Sequence, residues 1–247
     1  MGGSKMGETT GIEWTGATWN PWRGCTRVSP GCAHCYMFRE QRRYGRDPTN
    51  VVRAADVTFN APLRWKTPKK VFTCSWSDFF HEAADPWRPE AWAIIRSTPH
   101  LTYQILTKRP ERIASHLPPD WDDNGYPNVW LGVSGENVEW VEKRAELIAP
   151  IPAKVKFLSA EPWLDSRTDI DPRDRDTALG IFDWVILGGE SGPRARPFDL
   201  DSARSVRDAC ARLEIPFFLK QLGGPSGAKG DHEEAVLDGR TWKEMPT

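Results

Sequence analysis

Several features are scarce in this 247-residue sequence, and each scarcity removes a class of protein. No run approaches the roughly 18 consecutive apolar residues of a membrane-crossing helix. The first residues are small and polar, with no apolar signal-peptide core. Charge of one sign is missing too. A formal net charge of −1 gives no global basic field of the kind that draws nucleic acid or an anionic membrane. Cysteine is sparse and odd in number, and three of the five stand close together, which argues against a secreted disulfide framework. There is no short repeat, no low-complexity tract and no marked domain boundary. The expectation is a soluble, cytoplasmic protein without a membrane segment.

What is present suits a globular α/β chain. Apolar residues make up 39% and charged residues 27%, enough for a core and a soluble surface. The length fits one large domain or two small ones. Thirteen tryptophans are many, and core filling is the plain reading for each.

The sequence is organised around Gly24-Cys25-Thr26-Arg27-Val28-Ser29-Pro30-Gly31-Cys32-Ala33-His34-Cys35-Tyr36, with cysteines in the spacing C-x6-C-x2-C. No second pair completes a four-thiolate cage, because Cys74 and Cys210 are single and distant. Structural zinc takes four closed ligands, and most iron–sulfur clusters take four cysteines. Three cysteines suit a cubane cluster with one iron open to substrate or cofactor. Two rivals stay open: a zinc knot completed by a histidine such as His34, and a C-x-x-C redox pair of Cys32 and Cys35 that leaves Cys25 unexplained.

Apolar runs alternate with helical patterns along the whole chain. Residues 14–22 read as a short first strand, and Ala33 to Tyr44 as a helix whose first turn is flanked by Cys32 and Cys35. Strands follow at Lys70–Ser75, Leu101–Leu106, Asn128–Val133, Lys154–Leu158, Asp183–Leu187 and Pro216–Leu219. Helices are predicted at Pro89–Ser97, from Pro110, at Val138–Ile148 and at Leu200–Leu213, while the polar stretch Asp165–Thr177 reads as a solvated loop. Such alternation means a parallel sheet, doubly wound or barrel-like. Ser75, Ser77, Asp78, Lys108, Ser134, Glu136, Glu161, Glu190 and Lys220 each follow an apolar strand, as chemistry does at the mouth of a (β/α) barrel. The fold class predicted is therefore α/β, a partial (β/α)6-7 TIM-like barrel. It spans residues 11–224, between a loose tail at 1–10 and an extension at 225–247. Surface ion pairing is the duller explanation for any one of those polar residues. Cys74 and Cys210 read as small buried hydrophobes, and His81, His100, His116 and His232 show no metal spacing.

These residues resemble the radical S-adenosylmethionine (SAM) superfamily, whose usual C-x3-C-x2-C motif follows the first strand. More closely, the chain resembles the phage Gp37/Gp68-type family, a group of unknown function with a longer first cysteine spacing. Trp19–Trp22, Gly24-Cys25, Gly31–Tyr36, Leu106–Pro110, Val129–Ser134, Leu158–Pro162, Trp184–Gly192, Lys220–Gly223 and Leu237–Trp242 carry the likeness. The resemblance implies a 4Fe-4S cluster on Cys25, Cys32 and Cys35, with S-adenosyl-L-methionine chelating the fourth iron. Reduction then cleaves SAM to a 5′-deoxyadenosyl radical that takes hydrogen from a substrate. An electron donor such as flavodoxin or ferredoxin is implied as partner. By position, His34 and Tyr36 lie near adenine. Ser75, Ser77 and Asp78 stand where the superfamily's Gly-Gly-Glu holds the SAM amino group, a motif this sequence lacks. Ser134 and Glu136 are candidates for the ribose and Lys108 for the SAM carboxylate, while Glu161, Glu190 and Lys220 face substrate as catalytic candidates. The substrate is unidentified. Nucleic acid or nucleotide stays open, supported only by Arg39, Arg42, Arg43 and Arg46 on one helix. The alternative from another class is a non-catalytic zinc or iron–sulfur module that binds a protein or DNA partner.

Overall fold

A computed structural model of the chain describes residues 8–166, 172–224 and 235–247. The outer part of the expected tail (1–7), the middle of the Asp165–Thr177 stretch, the first part of the expected extension (225–234) and His232 lie outside the described residues. The chain divides into two compact units. One comprises Met1–Arg27, Cys35–Leu131 and Ile151–Lys154; the other comprises Val28–His34, Gly132–Pro150 and Val155–Thr247.

Seven strands form one sheet, and they follow one another in chain order: β1 (Ala17–Trp19), β2 (Lys69–Thr73), β3 (Leu101–Thr107), β4 (Val129–Ser134), β5 (Val155–Ala160), β6 (Trp184–Gly188) and β7 (Phe217–Gln221). A doubly wound sheet reverses its strand order at a switch point. This sheet does not, so its winding is that of a (β/α) barrel sheet. Continuous burial along β4 and β6 explains why both read as unbroken apolar runs, since both faces of such strands are covered.

In the first unit β1, β2 and β3 pair in parallel, with Ala17 opposite Val71 and Val71 opposite Tyr103. The expected first strand, 14–22, is shorter. Pro21 cannot donate to a ladder, and Trp22–Arg23 instead pairs antiparallel with Val52–Arg53. Helix α1 (Tyr36–Arg43) begins later than predicted, because Pro30–Cys32 forms a separate 3-10 turn and Cys35 becomes the N-cap. Arg39, Arg42, Arg43 and Arg46 are all exposed, a solvated basic face. Helix α2 (Arg88–Ser97) carries Pro89 in its first turn, where no N–H is needed. Eight of the thirteen tryptophans are buried in the core and the other five are half-buried; Trp19 and Trp22 are fully buried, and their indole N–H groups donate to the carbonyls of Phe59 and Asp78 at 3.0 Å.

In the second unit β5, β6 and β7 pair in parallel. Helix α3 (Val138–Ile148) is capped by Asn137, which accepts from Trp140 N at 3.0 Å. Asp165 is no part of a solvated loop. It is buried, and its carboxylate accepts from Val138 N at 3.1 Å, satisfying an orphan donor of α3. The same stretch continues into α4 (Pro172–Leu179). Helix α5 (Leu200–Arg212) is capped by Asp199, 2.7 Å from Ser202 N. The described end of the extension is structured: Leu219 N of β7 donates to Trp242 O at 2.8 Å, and Asp238 pairs with Arg204 and Arg207. No helix among the described residues is long and apolar enough to cross a membrane.

Candidate functional site

The first unit holds Cys25 in a rigid polar frame. Gly24 enters with φ +96°, and a Cβ there would stand 2.4 Å from Asn50 O, so only glycine fits. Cys25 N then donates to Pro48 O at 2.9 Å. Asp78, just beyond β2, is buried. Its Oδ1 accepts from Phe80 N (2.9 Å) and Thr107 Oγ1 (2.6 Å), and its Oδ2 accepts from Lys108 N (2.9 Å) and Arg109 Nη1 (3.3 Å). Arg109 then reaches back to the cysteine segment. Nη1 lies 3.7 Å from Cys25 Sγ, and Nη2 donates to Thr26 Oγ1 at 2.6 Å and to Thr26 O at 3.2 Å. Burial pulls the Arg109 pKa down, but Asp78 and Cys25 outweigh it and raise it.

His81 completes this frame. Its Nδ1 accepts from Ala83 N at 3.1 Å, so its Nε2–H donates to Thr26 Oγ1, also at 3.1 Å. Burial and then Arg109 lower its pKa, in keeping with that neutral ring. Ser75, Ser77 and Asp78 were expected around the SAM amino group. Here Asn20 donates to Ser75 Oγ at 3.0 Å, Ser77 Oγ donates to Gly24 O at 2.5 Å, and Tyr36 Oη donates to Ser75 O. Of the three, Ser77 bonds the loop backbone directly, Asp78 reaches the loop through Arg109, and Ser75 is tied to Asn20 and Tyr36. Cys74 is buried at φ +66°, and burial pushes its thiol well up. It is a small hydrophobe, as read, and Cys210 in the second unit is fully buried too.

In the second unit two carboxylates grip the middle of the loop. Glu136 is fully buried; its Oε1 accepts from Ser29 Oγ at 2.6 Å and its Oε2 from Arg144 Nη1 at 3.1 Å. Ser29 Oγ also lies 3.8 Å from Cys32 Sγ. Arg144 Nη1 donates to Ser134 O as well, while its Nε and Nη2 have no hydrogen-bond partner among the described residues. Glu190, 6% exposed, accepts from His34 Nδ1 (2.9 Å) and from Arg196 Nε (2.9 Å) and Nη2 (2.6 Å). Arg196 Nη1 continues to Pro30 O at 3.2 Å. Burial pushes the Glu190 carboxyl up, but the hydrogen bonds from Arg196 and His34 outweigh it and hold it at about 2. Elsewhere in this unit Lys220 Nζ lies 2.5 Å from Glu161 Oε1, with Gln221 Nε2 at 3.3 Å from the same oxygen. Both members of that pair are half-buried.

The strand-end pattern found Asp78, Glu136 and Glu190 but not their partners Arg109, Arg144 and Arg196. Arg109 stands beside Lys108, and nothing in the sequence distinguishes the buried cation from the half-buried one. None of the five cysteines is in a disulfide. Three of them within eleven consecutive residues, one facing a guanidinium and one capping a helix, are the donor type that an iron–sulfur cluster takes. The donor set fits such a group in kind. Among the described residues, no three or more His, Cys, Asp or Glu side chains are gathered as a metal ion requires.

The profile of a family described as "Protein of unknown function (DUF5131)" matches residues 9–246, and the chain belongs to that family. No curated protein matches the chain, and no solved structure does.

Proposed function

We propose that this DUF5131 family member is a radical SAM enzyme, with Cys25, Cys32 and Cys35 as ligands of a 4Fe-4S cluster. The observation that carries the reading is the cysteine loop itself: three cysteines on one short segment, none in a disulfide, with the buried Arg109 aimed at the first sulfur. When bound, cluster and SAM together supply a hydrogen-abstracting radical, the hard chemistry that a cofactor brings to a protein scaffold.

The chain's own residues position and shield. Asp78, Arg109 and Thr26 hold Cys25, while Glu136 and Glu190 hold Ser29, Pro30 and His34. Lys108 remains for the SAM carboxylate, Ser134 for the ribose and Tyr36 for the adenine side. Glu161 and Lys220 remain for the substrate, since this pair is half-buried and neither member is tied into the cysteine loop. The scaffold is the partial (β/α) barrel that sequential strand order favours. The site is proposed to work in a cytoplasmic protein served by a donor such as flavodoxin or ferredoxin, on an unidentified substrate for which nucleotide and nucleic acid are candidates.

The test is anaerobic iron–sulfide reconstitution followed by EPR of the dithionite-reduced protein with and without SAM. A 4Fe-4S signal that changes when SAM is added supports the reading. A protein that holds no cluster, or one zinc per chain, overturns it and favours the binding module.

A further inference from the structure

We propose that Arg109 is a positioning residue for Cys25, fixing the Cys25–Thr26 segment and placing a cation against the sulfur so that the cluster's reduction potential is raised. The proposal rests on the reading of Cys25 as a cluster ligand. Arg109 is 4% exposed, and a buried guanidinium is tolerated only when its donors are paired. Asp78 and Glu82, at 3.3 and 3.6 Å, supply its countercharge. The rest of the guanidinium goes to two consecutive residues of the loop: Cys25 Sγ, Thr26 O and Thr26 Oγ1.

The arrangement is stiff at its base. Thr107 Oγ1 accepts from Arg109 N at 2.9 Å and donates to Asp78 Oδ1 at 2.6 Å, so the strand end and the counter-ion are locked together. His81 donates to Thr26 Oγ1 from the other side. A lysine has the charge but not the planar fork that reaches Asp78, sulfur and Thr26 together. Hydrogen bonds and positive charge at a ligand sulfur favour the more electron-rich, reduced state of a cluster. The same contacts make the segment rigid before any cluster is present.

Arg109→Gln, Arg109→Lys and Thr26→Val test this through two readouts. The first is amide hydrogen exchange at residues 25–27 in the protein before reconstitution. Losing the charge-assisted bonds should speed exchange about tenfold or more in Arg109→Gln. Thr26→Val, which keeps Arg109 and removes only the hydroxyl, should show a smaller rise; it carries the test if Arg109→Gln does not fold. The second readout is the midpoint potential of the reconstituted protein. It should move to more negative values in Arg109→Gln and stay nearer wild type in Arg109→Lys. Unchanged exchange in Arg109→Gln, or in Thr26→Val if only that variant folds, overturns the positioning role. Altered exchange with an unchanged potential overturns the electrostatic role. If the wild type accepts no cluster, the functional reading fails on its own, and exchange alone decides the positioning role.

Discussion

Gly31→Ala should destabilise this protein clearly, although the change adds only a methyl group. A Cβ at Gly31 would stand 2.3 Å from Glu136 Cγ, 2.7 Å from its Oε1 and 2.8 Å from its Cδ. Ordinary contact begins near 3.4 Å, so Glu136 would have to retreat by about an ångström. It has nowhere to go cheaply. The residue is fully buried, and its carboxylate is held by Ser29 Oγ at 2.6 Å and Arg144 Nη1 at 3.1 Å. Overpacking of this kind costs about 1–3 kcal/mol, and losing one hydrogen bond to a charged group costs about 1.5–3 kcal/mol. The two together predict a destabilisation of roughly 2.5–6 kcal/mol. Urea unfolding followed by tryptophan fluorescence measures it. Gly11→Ala is the control, because a Cβ there meets nothing within 4 Å. If the two variants unfold at the same urea concentration, Glu136 is not pinned and the account of the loop's middle is wrong.

Three further outcomes follow from the same contacts. Against the upward push of burial, the hydrogen bonds from Arg196 and His34 hold native Glu190 at about 2, below the ordinary value of 4.5, so the unfolded chain takes up its proton first as pH falls. Its contribution is present above 4.5 and is lost as pH drops towards 2, at most on the order of 3 kcal/mol. Urea midpoints between pH 5.5 and 2.5 should therefore fall less steeply in Glu190→Gln than in wild type; equal slopes contradict this. Among the thiols, Cys25 and Cys35 are half-buried, whereas Cys74 and Cys210 are 3% and 0% exposed. A disulfide reagent applied to the native protein should label the first two in the loop and reach Cys74 and Cys210 only on unfolding, as mass spectrometry of the labelled peptides will show. A double-mutant cycle with Lys220→Met and Glu161→Gln should give a coupling of about 1 kcal/mol for this half-buried pair, and a coupling near zero would mean that the 2.5 Å contact does not bind the two together.

The legible part of this fold was local. Val129–Val133 and Trp184–Leu187 read as strands because both faces of a parallel sheet are covered, leaving an unbroken apolar run. What the alternation alone left open was the winding, since strand order belongs to pairing between distant segments. The site divides in the same way. Polar residues directly after strands were visible, but their tasks depend on partners far away along the chain. Arg109 and Cys25 are 84 residues apart, and His34 and Glu190 are 156 apart. Asp165 was misread for that reason: a carboxylate in a charged stretch looks solvated until the helix N-terminus it caps is in place.

The most direct measurement is the iron and sulfide content, after anaerobic reconstitution, of the wild type and of each cysteine replaced in turn by alanine. Cys25→Ala, Cys32→Ala and Cys35→Ala should each lose the cluster, while Cys74→Ala and Cys210→Ala retain four irons per folded chain, the content of a 4Fe-4S centre. Iron that survives loss of Cys25, or a wild type that takes up none, would contradict the claim that these three thiols form one centre.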